Sequence, residues 1–204
     1  MVQARTLMIQ GTASGVGKSM LVTLLCRLLS ARGYTVAPFK GQNLTSLIEQ
    51  VPGGYLARAQ IIQARAAGVA PHPLMNPLAL KPLPEGQVEV FLGGRCLGVM
   101  GWAEYQEQVF PRARERIKAA LAELAARYEF IVIEGAGSPV EINLRETDLA
   151  NLYVARLADP SVFLVADIDR GGAFAALVGT LALMEEDERR RVRGLIINKF
   201  HGEK

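Results

Sequence analysis

A glycine-rich segment between two apolar runs constrains the fold of this chain most. It reads GTASGVGKS over residues 11–19. The short apolar run before it, residues 6–10, is typical of a buried strand, and the leucine-rich run after it, residues 18–32, predicts a helix that ends at Gly33. Residues 34–39 predict a second strand. A strand, a glycine-rich turn, a helix and a strand in this order indicate a parallel α/β sheet.

The composition of the turn is typical of a phosphate-binding loop. Glycine lets backbone N–H groups face phosphate oxygens, and a helix N-terminus adds partial positive charge. Lys18 is expected to reach the β- and γ-phosphates, and the Ser19 hydroxyl is expected to bind Mg²⁺. We predict a three-layer α/β/α domain of the P-loop NTPase type that uses ATP and Mg²⁺. The predicted nucleotide-binding residues of the loop are Thr12, Gly15, Val16, Gly17, Lys18 and Ser19.

The loop departs from the strict P-loop pattern in one place. That pattern has glycine five residues before Gly17, where this chain has Thr12, and Gly11 lies one position earlier. A structural turn with a chance Gly-Lys-Ser is the alternative interpretation. The ParA/MinD partitioning ATPases carry an additional lysine near the start of the loop, where this chain has Ala13. This difference argues against a dimeric switch ATPase of that kind.

The rest of the chain predicts further strands and helices in alternation. Residues 42–54 are expected to form a loop, 55–67 a helix, and the proline-rich residues 71–84 an irregular segment. Gly93-Gly94 between residues 88–92 and 95–99 predicts a hairpin. Helices are predicted at 111–128 and 173–184, and strands at 130–133, 161–166 and 194–197. No repeat or linker interrupts the pattern, so residues 1–204 are predicted to form a single domain.

Three apolar strands end in a polar residue, namely Glu134, Asp167 and Asn198. Ligands of open parallel sheets bind at the carboxyl ends of the strands. Glu134 is therefore a candidate second Mg²⁺ contact, with a capping or salt-bridge role as the alternative. Asp167 and Arg170 are candidates to hold a metal, a carboxylate or a transferring phosphoryl group, with an ordinary capped loop as the alternative.

Lys40 follows the second predicted strand and is also a candidate site residue. At that edge its ammonium could neutralise an acyl phosphate or position a substrate carboxylate, and a solvated lysine is equally compatible with the spacing. Asn198 could contact the edge of adenine. His72 and His201 have no partner at the spacing of a metal site or a catalytic triad, and we assign them no role.

Charge and cysteine content exclude several classes of partner. The net charge is +3, and no Lys/Arg stripe interleaved with aromatic residues indicates nucleic-acid binding. The acidic and then basic run at 185–193 is predicted to be a solvated helix end and loop. Cys26 and Cys96 have no metal-ligand spacing, which indicates free thiols in a reducing compartment. With no signal peptide and no apolar run near ~18 residues, we expect a cytoplasmic protein that does not contact membranes.

Several motifs resemble the N-terminal ATP-dependent domain of cobyric acid synthases, in the dethiobiotin-synthetase-like superfamily. The resemblance extends from about residue 7 to residue 202. The motifs that carry it are QGT and GVGKS at 10–19, PFK with QN at 38–43, RAQ at 58–60, MNP and LKP at 75–82, IEGAGSP with EINL at 133–144, the segment 166–174, and INKF at 197–200.

The resemblance implies an ATP-dependent carbon–nitrogen ligase. Members of this family use ATP and Mg²⁺ to phosphorylate the b, d, e and g carboxylates of adenosylcobyrinic acid a,c-diamide, a corrinoid, and ammonia then attacks each acyl phosphate. The same resemblance implies that Lys18, Ser19 and Glu134 contact phosphates and Mg²⁺. It implies that Lys40, Gln42 and Asn43 face the substrate carboxylate, that Asp167 and Arg170 line the reaction centre, and that Asn198 contacts adenine.

The chain differs from the family pattern in several ways. Family members usually continue into a glutaminase domain that releases ammonia, and this domain is absent from the sequence, so ammonia is expected from such a domain or subunit or from solution. Residues 44–56 are altered, and Arg65 replaces an acid, so substrate or metal contacts are expected to differ there. The alternatives are another ligase of the superfamily, namely dethiobiotin synthetase or cobyrinic acid a,c-diamide synthase, and a non-catalytic ATP-binding module. A homodimer is left open.

Overall fold

The computed structural model describes residues 4–202. Its strands are β1 (Arg5–Gly11), β2 (Val36–Phe39), β3 (Gln42–Leu44), β4 (Ile48–Val51), β5 (Gly54–Ala57), β6 (Leu78–Pro82), β7 (Gln87–Leu92), β8 (Arg95–Gly101), β9 (Phe130–Glu134), β10 (Ser161–Asp167) and β11 (Val192–Asn198). Its α-helices are α1 (Lys18–Ala31), α2 (Arg58–Ala66), α3 (Trp102–Glu104), α4 (Phe110–Ala125), α5 (Leu152–Ala158), α6 (Ala173–Leu183) and α7 (Glu186–Arg189). A π-helical segment, Tyr105–Val109, joins α3 to α4.

The central sheet has five parallel strands in the order β11-β10-β1-β9-β2. Alternate residues of its inner strands face opposite sides of the sheet. On one side Ile9 and Val132 pack with α1, and on the other side Met8 and Ile131 pack with α4. Both faces are thus covered by helices, which is why β9 is buried along its whole length. The predicted three-layer fold with a mainly parallel sheet is confirmed.

The strand–turn–helix unit at the start of the chain also follows the prediction. Helix α1 buries Val22 and Cys26, which are one turn apart on the face toward the sheet. It ends at Ala31 with Arg32 as the C-cap, and Gly33 follows with φ 87°. Glycine adopts this left-handed conformation without steric cost, so the helix stops where the sequence indicates.

A second, smaller sheet extends beyond β2, in the order β3-β6-β7-β8. Strands β7 and β8 form the predicted hairpin, with Leu92 opposite Arg95. The two turn residues, Gly93 and Gly94, have φ values of 58° and 83°. Positive φ at both positions is required by the type I′ turn that fits the twist of a two-residue hairpin.

Two predicted segments are wrong. Residues 42–54 form β3 and β4 rather than a loop, and residues 71–84 contain β6 rather than being irregular throughout. Strand β3 has three residues and pairs in parallel with β6, so its partner lies far along the chain and leaves no local pattern. The helix predicted at 55–67 begins at Arg58, because Gly54–Ala57 pairs with β4 as a hairpin.

The charged run at 185–193 is more ordered than predicted. Helix α7 begins with a capping box in which Glu185 and Glu188 satisfy each other's backbone N–H groups. Arg191 is 7% exposed. Its guanidinium donates to carboxylates of Asp159 and Asp187, each at 2.8 Å. A buried arginine with two carboxylate partners thus stands where a solvated loop was expected.

No helix within residues 4–202 is both long and apolar enough to span a bilayer.

We predict that Leu124→Ala destabilises the protein by about 2–5 kcal/mol, because Leu124 is buried between α4 and the sheet and its removal leaves a cavity. The free energy of unfolding would be measured by urea denaturation. Leu28→Ala is the control, since Leu28 on α1 is 46% exposed and should lose less than about 1 kcal/mol. Equal losses for the two variants would contradict this packing.

Candidate active site

The candidate site lies at the carboxyl edge of the central sheet, where all five parallel strands end. Each of these strands ends in, or is followed by, one of the residues singled out from the sequence. These are Gly11 at the end of β1, Lys40 after β2, Glu134 at the end of β9, Asp167 at the end of β10 and Asn198 at the end of β11. The sheet therefore brings together positions that are far apart in the chain.

Contacts from the neighbouring strands fix the backbone of the glycine-rich loop. The Thr12 N–H donates to the Val165 carbonyl of β10 at 2.9 Å. The Asn198 side-chain amide donates to the Val16 carbonyl at 2.8 Å. Gly17 has φ 104°, and a Cβ there would lie 2.1 Å from Asn198 Nδ2. Glycine is therefore required at this position both by the backbone conformation and by the close approach of Asn198.

Lys18 lies under this loop and is 7% exposed. Its ammonium donates to the Ala13 carbonyl at 2.9 Å and to the Gly137 carbonyl at 2.7 Å. The pKa of Lys18 is lowered to about 8, mainly by burial and secondarily by the neighbouring Lys40, while Glu134 opposes the shift. A Cβ at Gly11 would lie 2.9 Å from Lys18 Nζ, so glycine leaves room for the ammonium. The loop thus encloses a cation whose charge is only partly compensated.

Glu134 accepts three side-chain hydrogen bonds at the centre of the site. It is 2% exposed. Its Oε1 accepts from Lys40 Nζ at 2.7 Å and from Ser19 Oγ at 2.8 Å. Its Oε2 accepts from Gln63 Nε2 at 2.5 Å. The structure therefore unites Ser19, Lys40 and Glu134, which come from three separate segments.

The salt-bridge role considered for Glu134 is present, in the ion pair with Lys40. It does not exclude a metal role, because the carboxylate and the Ser19 hydroxyl converge and both offer the oxygen ligands that Mg²⁺ prefers. Lys40 itself is 7% exposed, so the alternative of a solvated lysine is wrong.

Asp167 and Arg170 form a second group, on the other side of the glycine-rich loop. Asp167 Oδ2 accepts from Lys199 Nζ at 2.6 Å and lies 3.4 Å from Arg170 Nε. The Lys199 hydrogen bond is the main cause that lowers the pKa of Asp167. The Arg170 guanidinium lies against Gly15, where a Cβ would be 2.8 Å from Nη2. This group therefore borders the loop but makes no contact with Glu134.

Several residues that build the site were assigned no role from the sequence. Lys199 contacts both Asp167 and the Gly15 carbonyl. Asn151 holds the turn after Glu134 through paired hydrogen bonds with the backbone of Ala136. The Asn76 amide donates to the Lys40 carbonyl at 2.8 Å. The position of Lys199 directly after Asn198 could have indicated its role. No sequence pattern indicates the roles of Asn76 and Asn151.

The two histidines, which were assigned no metal or triad role from the sequence, each have one polar contact. His201 Nε2 lies 3.3 Å from Asp169 Oδ1, and His72 Nδ1 accepts from the Leu74 N–H, which caps a short 3₁₀ turn. Neither histidine contacts the group around Glu134. Arg65 is exposed at the end of α2. The departure from the family pattern at that position therefore lies on the protein surface.

Strand β3, directly after Lys40, carries the two residues that the family resemblance implies would face a substrate. Gln42 is half-buried, and Asn43 is buried. The Asn43 side-chain amide donates to Gln60 Oε1 at 3.0 Å. A Cβ on Gly41 would lie 2.4 Å from the Leu149 carbonyl, so glycine lets the chain pass from Lys40 into β3 at this point.

Comparison with known proteins identifies relatives of this chain. Residues 7–204 match the sequence model of the CobQ/CobB/MinD/ParA nucleotide binding domain family, CbiA. The chain is 50% identical over 202 residues to a probable cobyric acid synthase of Methanothermobacter thermautotrophicus. It is 51% identical over 201 residues to the cobyric acid synthase of Moorella thermoacetica. Each alignment covers 98% of this chain, which spans 40% and 39% of the length of these relatives.

Solved structures that resemble the chain support the fold. The signal recognition particle receptor FtsY from Elizabethkingia anophelis in complex with GDP matches with a TM-score of 0.54 at 15% identity, over 96% of this chain and 49% of the receptor. The chimerical protein CapA2B2 matches with a TM-score of 0.51 at 14% identity, over 97% of this chain and 76% of that protein. At these identities the likeness is one of fold alone.

We predict that Lys18 titrates near pH 8, as seen by NMR of ¹³C-labelled lysines. Because the pKa is lower in the folded than in the unfolded chain, the folded state binds fewer protons above pH 8. The free energy of unfolding should therefore rise with pH between about 8 and 10.5 through this group. Lys18→Met should remove both the titration and that part of the slope. The exposed-site variant Lys118→Met is the control, and a resonance that persists in Lys18→Met would contradict the assignment.

Proposed function

The chain belongs to the family of CobQ/CobB/MinD/ParA nucleotide-binding domains, and on that premise we propose that it is an ATP-dependent carbon–nitrogen ligase domain that activates carboxylates of a corrinoid for amidation. The observation that carries this proposal is the buried Glu134 carboxylate, whose single oxygen Oε1 accepts from both Ser19 and Lys40. The Glu134 carboxylate joins the phosphate-binding loop to the side of the site where a substrate would enter. The names of the relatives, cobyric acid synthases, support the choice of substrate.

The glycine-rich loop is proposed to bind the triphosphate of ATP. The backbone N–H groups from Thr12 to Ser19 and the N-terminus of α1 would face phosphate oxygens. Lys18 would exchange its carbonyl contacts at Ala13 and Gly137 for the β- and γ-phosphates. No acidic residue lies in the first turn of α1, so no carboxylate in that turn offsets the partial positive charge at the N-terminus of the helix.

Adenine is proposed to lie near Asn198. The Nδ2 of this side chain is engaged with the Val16 carbonyl. Within residues 4–202 its Oδ1 accepts from no donor, and this oxygen suits the exocyclic amino group of adenine. Asn198 would then both support the loop and contact the base.

Ser19 and Glu134 are proposed to hold Mg²⁺. One hydroxyl and one carboxylate are a usual protein contribution to a magnesium–nucleotide site, where phosphate oxygens and water complete the coordination. The ion would neutralise charge on the phosphates during transfer. Lys40, which pairs with Glu134 in the protein alone, would then be free to turn toward the substrate.

The proposed reaction has two steps at one carboxylate. A carboxylate oxygen, positioned by Lys40 and Gln42, attacks the γ-phosphorus of ATP; the bond to the bridging oxygen breaks and ADP leaves. Ammonia then attacks the acyl carbon, the carbon–oxygen bond to phosphate breaks, and the nitrogen loses a proton. The products are the amide and inorganic phosphate. Arg170, held against Gly15 and near Asp167, would stabilise charge on the transferring group.

We propose the b, d, e and g carboxylates of adenosylcobyrinic acid a,c-diamide as substrates, and a single P-loop synthetase domain over residues 1–204. Ammonia would come from glutamine through a glutaminase domain or subunit, or from solution. A cytoplasmic location is part of the proposal, because Cys26 and Cys96 are free thiols, as in reducing compartments.

We predict that Lys18→Ala weakens ATP binding at least about tenfold, because a charge-assisted contact to the phosphates is lost. Isothermal titration calorimetry would measure the dissociation constant. Lys118→Ala, on the exposed face of α4, should bind ATP as the wild type does. Unchanged ATP affinity in Lys18→Ala would refute the phosphate-binding assignment.

We further predict that ADP release from Mg·ATP depends on the diamide corrinoid, that multiple turnovers also require ammonium, and that one new amide forms per ADP. Product mass and ADP would be followed together. Lys40→Met should lower kcat about 100-fold and retain ATP binding, because Lys40 acts on the substrate side. Lys81→Met, which breaks only the ion pair with Glu89, is the control. ADP release that is independent of corrinoid would count against this function.

A further inference from the structure

Three side-chain amides connect the substrate side of the site to Glu134 in an unbroken chain. Asn43 Nδ2 donates to Gln60 Oε1 at 3.0 Å, and Gln60 Nε2 donates to Gln63 Oε1 at 3.2 Å. Gln63 Nε2 then donates to Glu134 Oε2 at 2.5 Å. Asn43 is 7% exposed and both glutamines are 0% exposed. The chain therefore lies almost wholly inside the protein.

The two glutamines occupy positions that normally hold apolar residues. They lie one turn apart on the inner face of α2, beside the buried Ile61 and Ala64. A buried amide without a partner costs about 1–3 kcal/mol. Both glutamines are satisfied only because each contacts the next member of the chain, which ends at Glu134. Their burial is thus explained by the site rather than by helix packing.

The carboxylate at one end sets the direction of every hydrogen bond. An ionised carboxylate only accepts, so Gln63 must present its NH₂ group to Glu134 and its oxygen to Gln60. Gln60 must then present its NH₂ group to Gln63 and its oxygen to Asn43. Asn43 in turn must present its NH₂ group inward. None of these amides can flip without placing two acceptors or two donors face to face.

The direction fixes which atom faces outward at the far end. Asn43 Oδ1 accepts from no residue of the described chain. Among the described residues, the fully buried side-chain oxygens without a hydrogen-bond partner are Asn76 Oδ1 and the Tyr105 hydroxyl. Asn43 Oδ1 is not one of them, so it is not fully enclosed. The outer end of the chain is therefore a hydrogen-bond acceptor at a fixed position, on a residue three positions after Lys40.

We propose that Gln60 and Gln63 are positioning residues that orient Glu134 and that pass the direction set by its carboxylate on to Asn43, which fixes Asn43 Oδ1 as the acceptor for an N–H of the ammonia nucleophile. This assignment of the ligand rests on the proposed function. An acceptor suits ammonia because it takes one N–H and leaves the lone pair free to attack the acyl carbon. Asn43, expected from the family resemblance to face the carboxylate, is thereby assigned to the nitrogen instead.

The first experiment tests the orientation of Glu134 without corrinoid. Mn²⁺ affinity in the presence of a non-hydrolysable ATP analogue would be measured by electron paramagnetic resonance on the full chain. Gln63→Met should weaken Mn²⁺ binding about tenfold, since residues that hold a metal ligand contribute to this extent. Nucleotide affinity in EDTA should be unchanged, because the glycine-rich loop is not touched. Gln108→Met, an exposed glutamine of the π-helical segment, is the control.

A second variant, Gln63→Asn, covers the case in which methionine prevents folding. It keeps the amide and shortens the side chain, so it should fail to reach Glu134 and lose Mn²⁺ affinity to a similar extent. Unchanged Mn²⁺ affinity in a folded Gln63 variant would overturn the positioning role. A loss of nucleotide affinity in EDTA as large as the loss of Mn²⁺ affinity would overturn it too, since that would indicate general damage.

The second experiment tests the acceptor. Asn43→Leu and Gln60→Met should each raise the KM for ammonium about tenfold, as expected for one lost hydrogen bond. Asn43→Leu should leave the KM for ATP unchanged, because Asn43 does not contact Glu134. A raised KM for the corrinoid with an unchanged KM for ammonium would overturn the acceptor role and favour a contact between Asn43 and the carboxylate. A wild-type protein without corrinoid-dependent turnover would refute the proposed function and this ligand together, while the Mn²⁺ measurement would still decide the positioning role.

Discussion

The site is organised around one buried carboxylate at the end of β9. Glu134 accepts three hydrogen bonds, from Ser19, Lys40 and Gln63, and these donors belong to α1, the segment after β2, and α2. A carboxylate this deeply buried is tolerated only when charged and polar partners surround it. The position of Glu134 at the carboxyl end of an inner strand is therefore what allows these segments to meet. Removing it would leave Lys40 buried without its ion-pair partner.

The charges around this carboxylate do not balance. Lys18 and Lys40 face a single glutamate, and the lowered pKa of Lys18 reflects both its burial and the second ammonium nearby. The backbone N–H groups of the loop and the N-terminus of α1 add to the positive potential. An anionic ligand with several negative oxygens would relieve this excess, and a triphosphate is such a ligand. Part of the free energy of nucleotide binding would therefore come from relief of the repulsion among these positive groups.

The sequence predicted the elements whose signals are local. Short apolar runs located β1, β9, β10 and β11, and paired glycines located the β7–β8 hairpin. It did not predict β3, because a three-residue strand is defined by its pairing with β6. The burial of Gln60 and Gln63 was missed for a related reason, since glutamine on a helix is normally solvent-exposed and only the contact with Glu134 places it inside. The spacing of Lys40 fitted a buried and a solvated side chain equally, because its partner comes from another strand.

The phosphate-binding loop is attached to the sheet at three separate points. Thr12 bonds to β10, Asn198 of β11 bonds to Val16, and Lys18 reaches the turn after β9. A segment held in this way has little conformational freedom left to lose. Its ordering entropy has already been lost in folding, so a ligand that enters would meet a rigid receptor. Association would then be limited by diffusion and desolvation rather than by a search of loop conformations.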